Sequence, residues 1–170
     1  QGLIYKDQAF IPGKRGEYPE DLETFRTTAK GMKVALRPVR ISDEPIVKDF
    51  FYTLSDSSIY KRFISVRKHM PHERLQEFVV IDHTREKVIL VTNGDREKEI
   101  VYAIGQYGID DRTHSAEVAL VVSDEYQNQE IGTVLVEYLT TLAKKQGLLG
   151  FTAEVLTSNK PMMHLFRKAG

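Results

Sequence analysis

Hydrophobic positions change their spacing near the middle of the C-terminal half of this 170-residue chain. Residues 115–122 are mostly apolar, which is typical of a strand, and a polar segment follows them. From Ile131 the apolar residues recur three and four positions apart, as on one face of a helix. The pattern predicts a strand, a short loop and a helix from about Gln129 to Gln146, with Gly147 at the C-cap.

Shorter apolar runs predict the remaining elements. Further strands are predicted at residues 34–39, 88–91, 99–109 and 150–156, and further helices after Ser42, over 55–63, after Pro71 and from Asn159. The element order is β-α-α-α-β-β-β-α-β-α. It predicts an α/β (α+β) fold, with a mixed, mostly antiparallel sheet, one parallel β-α-β crossover and flanking helices.

The first 33 residues are the least regular part of the chain. Pro12-Gly13, Gly16 and Tyr18-Pro19 interrupt any periodic pattern, and 20–27 is predicted as a short helix. We therefore expect residues 1–33 to be an arm or interdomain linker and 34–170 to be the globular domain. The chain has no initiator methionine and stops in mid-pattern, which predicts a domain cut from a longer protein.

Composition restricts the function classes. With 41% hydrophobic and 28% charged residues and zero net charge, the chain is predicted to be globular, without a global field that favours nucleic acid or an anionic membrane. No stretch approaches the roughly 18 apolar residues of a membrane-spanning helix. Cysteine is absent, which excludes a thiol nucleophile and favours a reducing, cytoplasmic location. Histidines lack zinc-site spacing, so no metal is predicted.

A strand that enters a helix through a short loop directs unpaired backbone N–H groups and the positive end of the helix dipole at one point, which favours a phosphate. With Gln127, Gly132 and the later Asn159, this segment resembles the acyl-CoA-binding motif of the GNAT N-acetyltransferases. Glu130 stands where that motif has its first glycine. Replacing Glu130 with glycine is therefore expected to tighten cofactor binding and to cost a little helix stability.

The resemblance extends over residues 34–170. Residues 35–40, 43–45, 58–63, 154–156, 159–162 and 165–170 are similar to one GNAT branch, the bacterial protein-lysine acetyltransferases. In that branch the domain is often fused to an acyl-CoA synthetase-like or acetyl-CoA hydrolase/transferase-like module. The resemblance implies a GNAT fold with a bulged strand before the loop that splays from its parallel neighbour, acetyl-CoA as acyl donor, an amine acceptor and a covalently fused CoA-enzyme module.

The resemblance also implies the residues that contact the cofactor. Backbone groups of Val121 and Val122 would hold the pantetheine arm and the thioester carbonyl, and Asn159 would contact the arm. Phe166 stands where many GNAT proteins have a tyrosine that protonates the leaving thiolate, so water would take that role. The pyrophosphate would be bound by the amides of Gln127, Asn128, Gln129, Glu130, Ile131, Gly132 and Thr133.

Glu117 is the candidate general base because it is a lone carboxylate in an otherwise apolar strand, where a carboxylate is expected to be a stronger base than in water. Glu154 on the next predicted strand is the second candidate, and either glutamate is also compatible with a solvent-facing position. A basic patch at Lys61, Arg62, Arg67 and Lys68 is read as a solvated helix face rather than a nucleic-acid surface.

The sequence thus predicts an acetyl-CoA-dependent N-acetyltransferase that acts on protein lysines by direct attack in a ternary complex. Two alternatives stay open. One is a degenerate GNAT domain that regulates or scaffolds a multidomain CoA enzyme, which Glu130 and Phe166 would favour. The other is an acetyltransferase for small amines.

Overall fold

Six strands pair in chain order in the computed structural model, which describes residues 18–54, 75–76 and 79–152. Neighbouring strands are antiparallel except β5 and β6, which are parallel and are joined through helix α2. This confirms the predicted mixed sheet with one parallel crossover. The elements are β1 Thr24–Thr27, β2 Lys33–Pro38, α1 Glu44–Thr53, β3 Glu86–Thr92, β4 Val101–Asp110, β5 Ser115–Val122, α2 Ile131–Lys145 and β6 Gly150–Thr152.

The central strand β3 is apolar throughout because both of its faces are covered. Val88 and Leu90 belong to the buried cluster that includes α1, whereas Ile89 and Val91 belong to the cluster that includes α2. Successive side chains of a strand point to opposite faces, so a continuous apolar run requires a layer on each side. The two helices therefore lie on opposite faces of the sheet.

Helix α2 approaches strand β4 most closely at Gly105. A β-carbon at this position would lie 2.9 Å from side-chain atoms of Leu135 and Leu139, both of which are fully buried. The absence of a side chain at Gly105 thus allows α2 to pack this close to the sheet. At its C-terminal end, α2 is terminated by Gly147, which lies one residue beyond the C-cap and has a φ angle of +78°. The Leu148 amide then donates a hydrogen bond to the Ala143 carbonyl.

The N-terminal segment differs from the sequence prediction. Residues 20–27 are not one helix: Glu20–Leu22 form a 3₁₀ turn, and β1 pairs with β2 at the edge of the sheet. The Tyr138 hydroxyl on α2 donates to the Leu22 carbonyl. The described part of the predicted arm, from residue 18, is therefore packed on the domain, because strand pairing with a partner outside the segment outweighs its weak local pattern.

Two further expectations need correction. Ser42 does not cap the helix, because Ile41–Asp43 form a 3₁₀ turn and α1 begins at Glu44. The expected bulge is not in β5, whose register with β4 is regular along its whole length. It lies in β4 instead, where Tyr102 is the extra residue opposite the end of β3. Among the described residues, no helix is long and apolar enough to span a membrane.

Candidate functional site

The end of β5 leaves backbone groups on the side that faces β6. The Ser123 amide donates to the Tyr102 carbonyl, which makes Val122 and Ala103 a non-hydrogen-bonded pair of the antiparallel ladder. The N–H and C=O of Val122 therefore point away from β4, whereas those of Val121 point into the ladder. The expectation of free backbone groups at Val121 is therefore wrong, whereas Val122 stays a predicted cofactor contact.

The loop between β5 and α2 has an unusual backbone. Asn128 and Glu130 have φ angles of +66° and +65°, in the left-handed region that residues with a β-carbon seldom occupy. Glu130 precedes the first helical residue, Ile131. A left-handed residue followed by a right-handed one turns consecutive N–H groups toward one point, which is a geometry that binds anions. The loop and the helix N-terminus thus both favour a negatively charged ligand.

The left-handed conformation explains why the family motif has glycine at position 130. Glu130 is the N-cap residue, not a residue of the first helical turn as the sequence predicted, and its side chain makes no capping hydrogen bond. Its carboxylate accepts a hydrogen bond from the Thr133 hydroxyl at 3.1 Å. A negative charge consequently lies at the N-terminal turn of α2, where it opposes an incoming phosphate.

An aromatic pair holds the start of the loop. The rings of Tyr102 and Tyr126 lie 4.3 Å apart, and Tyr126 ends the 3₁₀ turn Asp124–Tyr126. The β4 bulge brings Tyr102 to this position, since an extra residue reorients the side chain beside it. Sequence reasoning missed Tyr102, because a single bulge leaves no periodic signal.

Glu117 lies on the α1 side of the sheet, on the face shared with Val121. It is exposed rather than set among apolar groups, because its apolar chain neighbours Ala116 and Val118 point to the opposite face. It pairs with Gly108 on β4, and a β-carbon at Gly108 would meet nothing within 4 Å. Among the residues that the structure describes, none fills the space beside this carboxylate over the sheet.

A cleft of about 210 Å³ opens on the same side of the sheet, between α1, the start of β4 and the segment after β5. Its walls combine apolar side chains with three carboxylates, Asp49, Glu99 and Glu125. Its lining residues are Ile46, Asp49, Phe50, Thr53, Glu99, Ile100, Val101, Ser123, Glu125 and Tyr126.

Arg37 fixes one of these carboxylates. Its guanidinium makes two hydrogen bonds to Asp43, at 2.7 and 2.9 Å, and two to Glu99, at 3.1 and 2.8 Å. The Thr92 hydroxyl also donates to Glu99. Burial alone would raise the pKa of the Glu99 carboxyl, but the hydrogen bonds from Arg37 and Thr92 and the guanidinium charge outweigh it and hold that pKa below its usual range. Glu99 is therefore ionised at neutral pH, and the cluster of Arg37, Asp43 and Glu99 carries a net negative charge.

Several sequence candidates lie outside the described residues: Asn159, Phe166, Glu154 and the basic patch Lys61, Arg62, Arg67 and Lys68. Of the others, the fold brings Val122 and the loop 127–133 together at one end of β5, and it places Glu117 nearer the other end. Within the described ranges, no group of three or more His, Asp or Glu side chains is arranged to hold a metal ion.

Comparisons with known proteins identify the family of this chain. The Acetyltransferase (GNAT) family profile matches residues 54–170. The acetyltransferase Pat of Mycolicibacterium smegmatis is 32% identical over 143 residues, which cover 79% of this chain and 40% of that protein. The GNAT domain of S. lividans PAT has 26% identity and a TM-score of 0.83, covering 91% of this chain and 90% of that one.

A cAMP-binding acyltransferase from Mycobacterium smegmatis has 27% identity and a TM-score of 0.61, covering 99% of this chain and 52% of that one. The chain thus spans about half or less of the length of two of these relatives and nearly all of the S. lividans domain. Because the family profile covers more than half of the chain, the sequence belongs to the GNAT family of acetyltransferases.

Proposed function

We propose that this chain transfers the acetyl group of acetyl-CoA to a primary amine, and that the amine is a lysine side chain of a protein. The observation that carries the proposal is the loop between β5 and α2. It places a left-handed residue directly before a helix N-terminus, at the end of a strand whose last residue has backbone groups on its open side.

The loop would bind the pyrophosphate of coenzyme A. The amides of Glu130, Ile131 and Gly132 converge through the left-handed turn, and the first N–H groups of a helix have no acceptor within the helix. The helix dipole adds favourable charge at the same point. The other amides of residues 127–133, and Asn159 from the sequence, would complete the contacts.

The thioester would lie along the β6 side of β5, where Val122 directs its backbone groups. A backbone N–H at this place would polarise the thioester carbonyl. The amine nitrogen then attacks the carbonyl carbon, the carbon–sulfur bond breaks, and an amide and coenzyme A are formed. No covalent enzyme intermediate is needed, so both substrates would be bound together.

Glu117 would accept the proton that the ammonium must lose, through intervening water molecules. It is exposed, and among the described residues Gly108 leaves the space beside it open. Because Glu117 lies five positions before Val122 on β5, roughly 16 Å at the strand rise, more than one water would relay the proton from an amine that attacks a thioester held at Val122. The thiolate would take its proton from water, since the sequence has phenylalanine at position 166.

Support for a lysine acceptor comes from the relatives and from charge. Pat and PAT proteins resemble this chain over most of its length, and the cleft beside the end of β5 is lined by three carboxylates. Acidic walls attract an ammonium group and repel phosphates. Fusion to a CoA-enzyme module remains a prediction from the sequence.

Two measurements on the purified chain test the proposal. Titration with acetyl-CoA by calorimetry should give a micromolar dissociation constant, and a lysine peptide should be acetylated in the presence of acetyl-CoA, as followed by mass spectrometry. Absence of binding at millimolar acetyl-CoA would instead support the scaffold alternative, for which the Glu130 carboxylate at the helix N-terminus is the structural argument. Faster transfer to free small amines than to peptides would support the second alternative.

A further inference from the structure

His83, in the turn before β3, has a buried ring nitrogen that lacks a hydrogen bond. The residue is 8% exposed, and its Nδ1 has no partner among the residues that the structure describes. In the neutral ring, Nδ1 can be an unprotonated acceptor that lacks a donor. In the protonated ring both nitrogens carry hydrogen, so Nδ1 would be a charged donor that lacks an acceptor, which costs more free energy. The packing around His83 therefore favours the neutral ring.

The charges around His83 also disfavour a positive ring. Lys87 on β3 is buried, and its Nζ donates to the His83 carbonyl. Asp82 is the nearby carboxylate of the same turn, but it already accepts hydrogen bonds from the amide and the hydroxyl of Thr84. Burial and the charge of Lys87 together lower the pKa of His83 from its usual value, against the opposite effect of Asp82. Histidine is thus neutral here at a pH where an exposed imidazole begins to take up a proton.

The segment 18–23 packs against His83 from the N-terminal side of the chain. The Tyr18 ring contacts the His83 ring edge to face, with the centroids 6.0 Å apart. The Arg40 guanidinium lies 4.5 Å from the Tyr18 centroid and also pairs with Glu23. Asp21 is exposed and acts on the charge of Lys87. A proton on His83 would therefore add a third positive charge to a site that already has Lys87 and Arg40.

This segment is held less firmly than the turn that carries His83. Residues 82–85 are bonded to β3 through Lys87 and to the end of α2 through Gln146, whose amide donates to the turn. The described contacts of segment 18–23 with the domain include single hydrogen bonds at Pro38 and Tyr138 and the exposed ion pair with Arg40. An exposed ion pair contributes little stability. Of the two, the segment is the part that can move to let water reach Nδ1.

We propose that His83 is a pH-sensitive switch for segment 18–23: the neutral ring lets the segment dock on the domain, and protonation below about pH 6.5 releases it. Release would break the hydrogen bond between Leu22 and Tyr138 on α2, the helix whose N-terminus would bind acetyl-CoA. The inference is independent of the proposed function, because docking of the segment involves no ligand and no turnover.

The sign of the effect follows from linkage. The ring is harder to protonate when the segment is docked than when it is released, so protons favour release. The docked state is most stable above about pH 6.5, the ordinary pKa of histidine. As the pH falls below that value, the released fraction grows by roughly tenfold per pH unit until the docked ring itself takes up a proton.

Hydrogen exchange of the Leu22 and Glu23 amides, detected by NMR, tests the switch. Both amides are bonded within the segment, so their protection reports its docking. After correction for the intrinsic exchange rate, we expect their protection factors to fall roughly 5- to 10-fold from about pH 7.5 to about pH 5.5. Protection factors that are equal at the two pH values would overturn the proposal.

Variants assign the effect to one histidine. His83→Phe keeps a ring against Tyr18 but cannot take up a proton, so its protection factors should be the same at both pH values. His114→Asn replaces an exposed histidine and is the matched control, which should lose protection as the parent does. The same loss in His83→Phe as in the parent would show that another group titrates.

Two further measurements cover the case in which His83→Phe does not fold. His83→Gln is polar and neutral at both pH values, and it should also show no dependence of protection on pH. In the parent protein, NMR titration of labelled histidine gives the midpoint of His83 directly. We expect a midpoint below about 6.5. A midpoint at or above that value would contradict the switch, because protonation would then not oppose docking.

Discussion

The side-chain amide of Gln127 donates a hydrogen bond to the carbonyl oxygen of Val122 at 3.2 Å. This contact ties the loop between β5 and α2 back to the end of β5, at the carbonyl that points away from β4. The two regions that would hold opposite ends of the pantetheine arm are thereby joined. Gln127 is therefore a link between them as well as a motif residue.

Loss of this link should weaken cofactor binding. We expect Gln127→Ala to raise the dissociation constant of acetyl-CoA by about 2- to 10-fold, the contribution of one hydrogen bond. Gln127→Glu keeps the size but cannot donate to a carbonyl, so it should weaken binding at least as much. Calorimetry measures both constants. Unchanged affinity in Gln127→Glu would mean that the contact does not support the bound state.

Glu117→Gln should separate chemistry from binding. As the proposed general base, Glu117 should contribute about 10²- to 10⁴-fold to turnover at neutral pH, while acetyl-CoA affinity changes little. Steady-state acetylation of a lysine peptide and calorimetry measure the two quantities, with Glu137→Gln as a control. Retention of most activity in Glu117→Gln would show that Glu117 is not the base and would favour Glu154, the second candidate.

Glu130→Gly should improve both binding and stability. It removes a carboxylate beside the proposed phosphate site, so acetyl-CoA should bind roughly 5- to 100-fold tighter. The sequence suggested a small loss of stability, but φ is +65° at this N-cap, so glycine should instead add about 1 kcal/mol to the free energy of unfolding.

Glu130→Ala separates the two effects. It removes the charge but keeps a β-carbon in the left-handed conformation, so it should tighten binding without the gain in stability. Denaturant unfolding and calorimetry at low salt measure the changes. Equal acetyl-CoA affinity in all three proteins would show that the carboxylate does not face the phosphates.

Gly105→Ala should destabilise the domain by about 1–3 kcal/mol, because its β-carbon would lie 2.9 Å from Leu135 and Leu139 in a fully packed layer. Gly108→Ala on the same strand is the matched control, since a β-carbon there meets nothing within 4 Å. Urea unfolding measures both. Similar free energies of unfolding for the two variants would contradict a close approach of α2 to β4.

The Glu99 carboxyl should make stability depend on acid pH. Its pKa in the folded protein lies below the unfolded value of about 4.3, so its contribution is complete above that pH and is lost as the pH falls through the folded pKa. Glu99→Gln should lower Tm by roughly 2–8 °C at pH 7, and the difference should narrow below about pH 4. Glu97→Gln, exposed in the same hairpin, should behave as the parent.

The sequence by itself determined the strand-loop-helix unit at residues 115–145 and the apolar central strand. These features depend on local patterns, because a strand or a helix shows its spacing of apolar residues within a short stretch of sequence. Strand β3 is covered on both faces, so its residues form a continuous apolar run. The order of residues along the chain also indicated the family, which the profile match over residues 54–170 confirms, whereas the roles of the individual loop residues stay predictions.

Tertiary structure decided what depends on distant partners. Strand β1 is held by pairing with β2, and the Tyr102–Tyr126 contact depends on a bulge opposite β3. The cleft combines residues from α1, β4 and the segment after β5, and Arg37 reaches Glu99 across 62 positions of the chain. Such relationships follow from strand register and packing, which bring together residues whose local patterns carry no signal of one another.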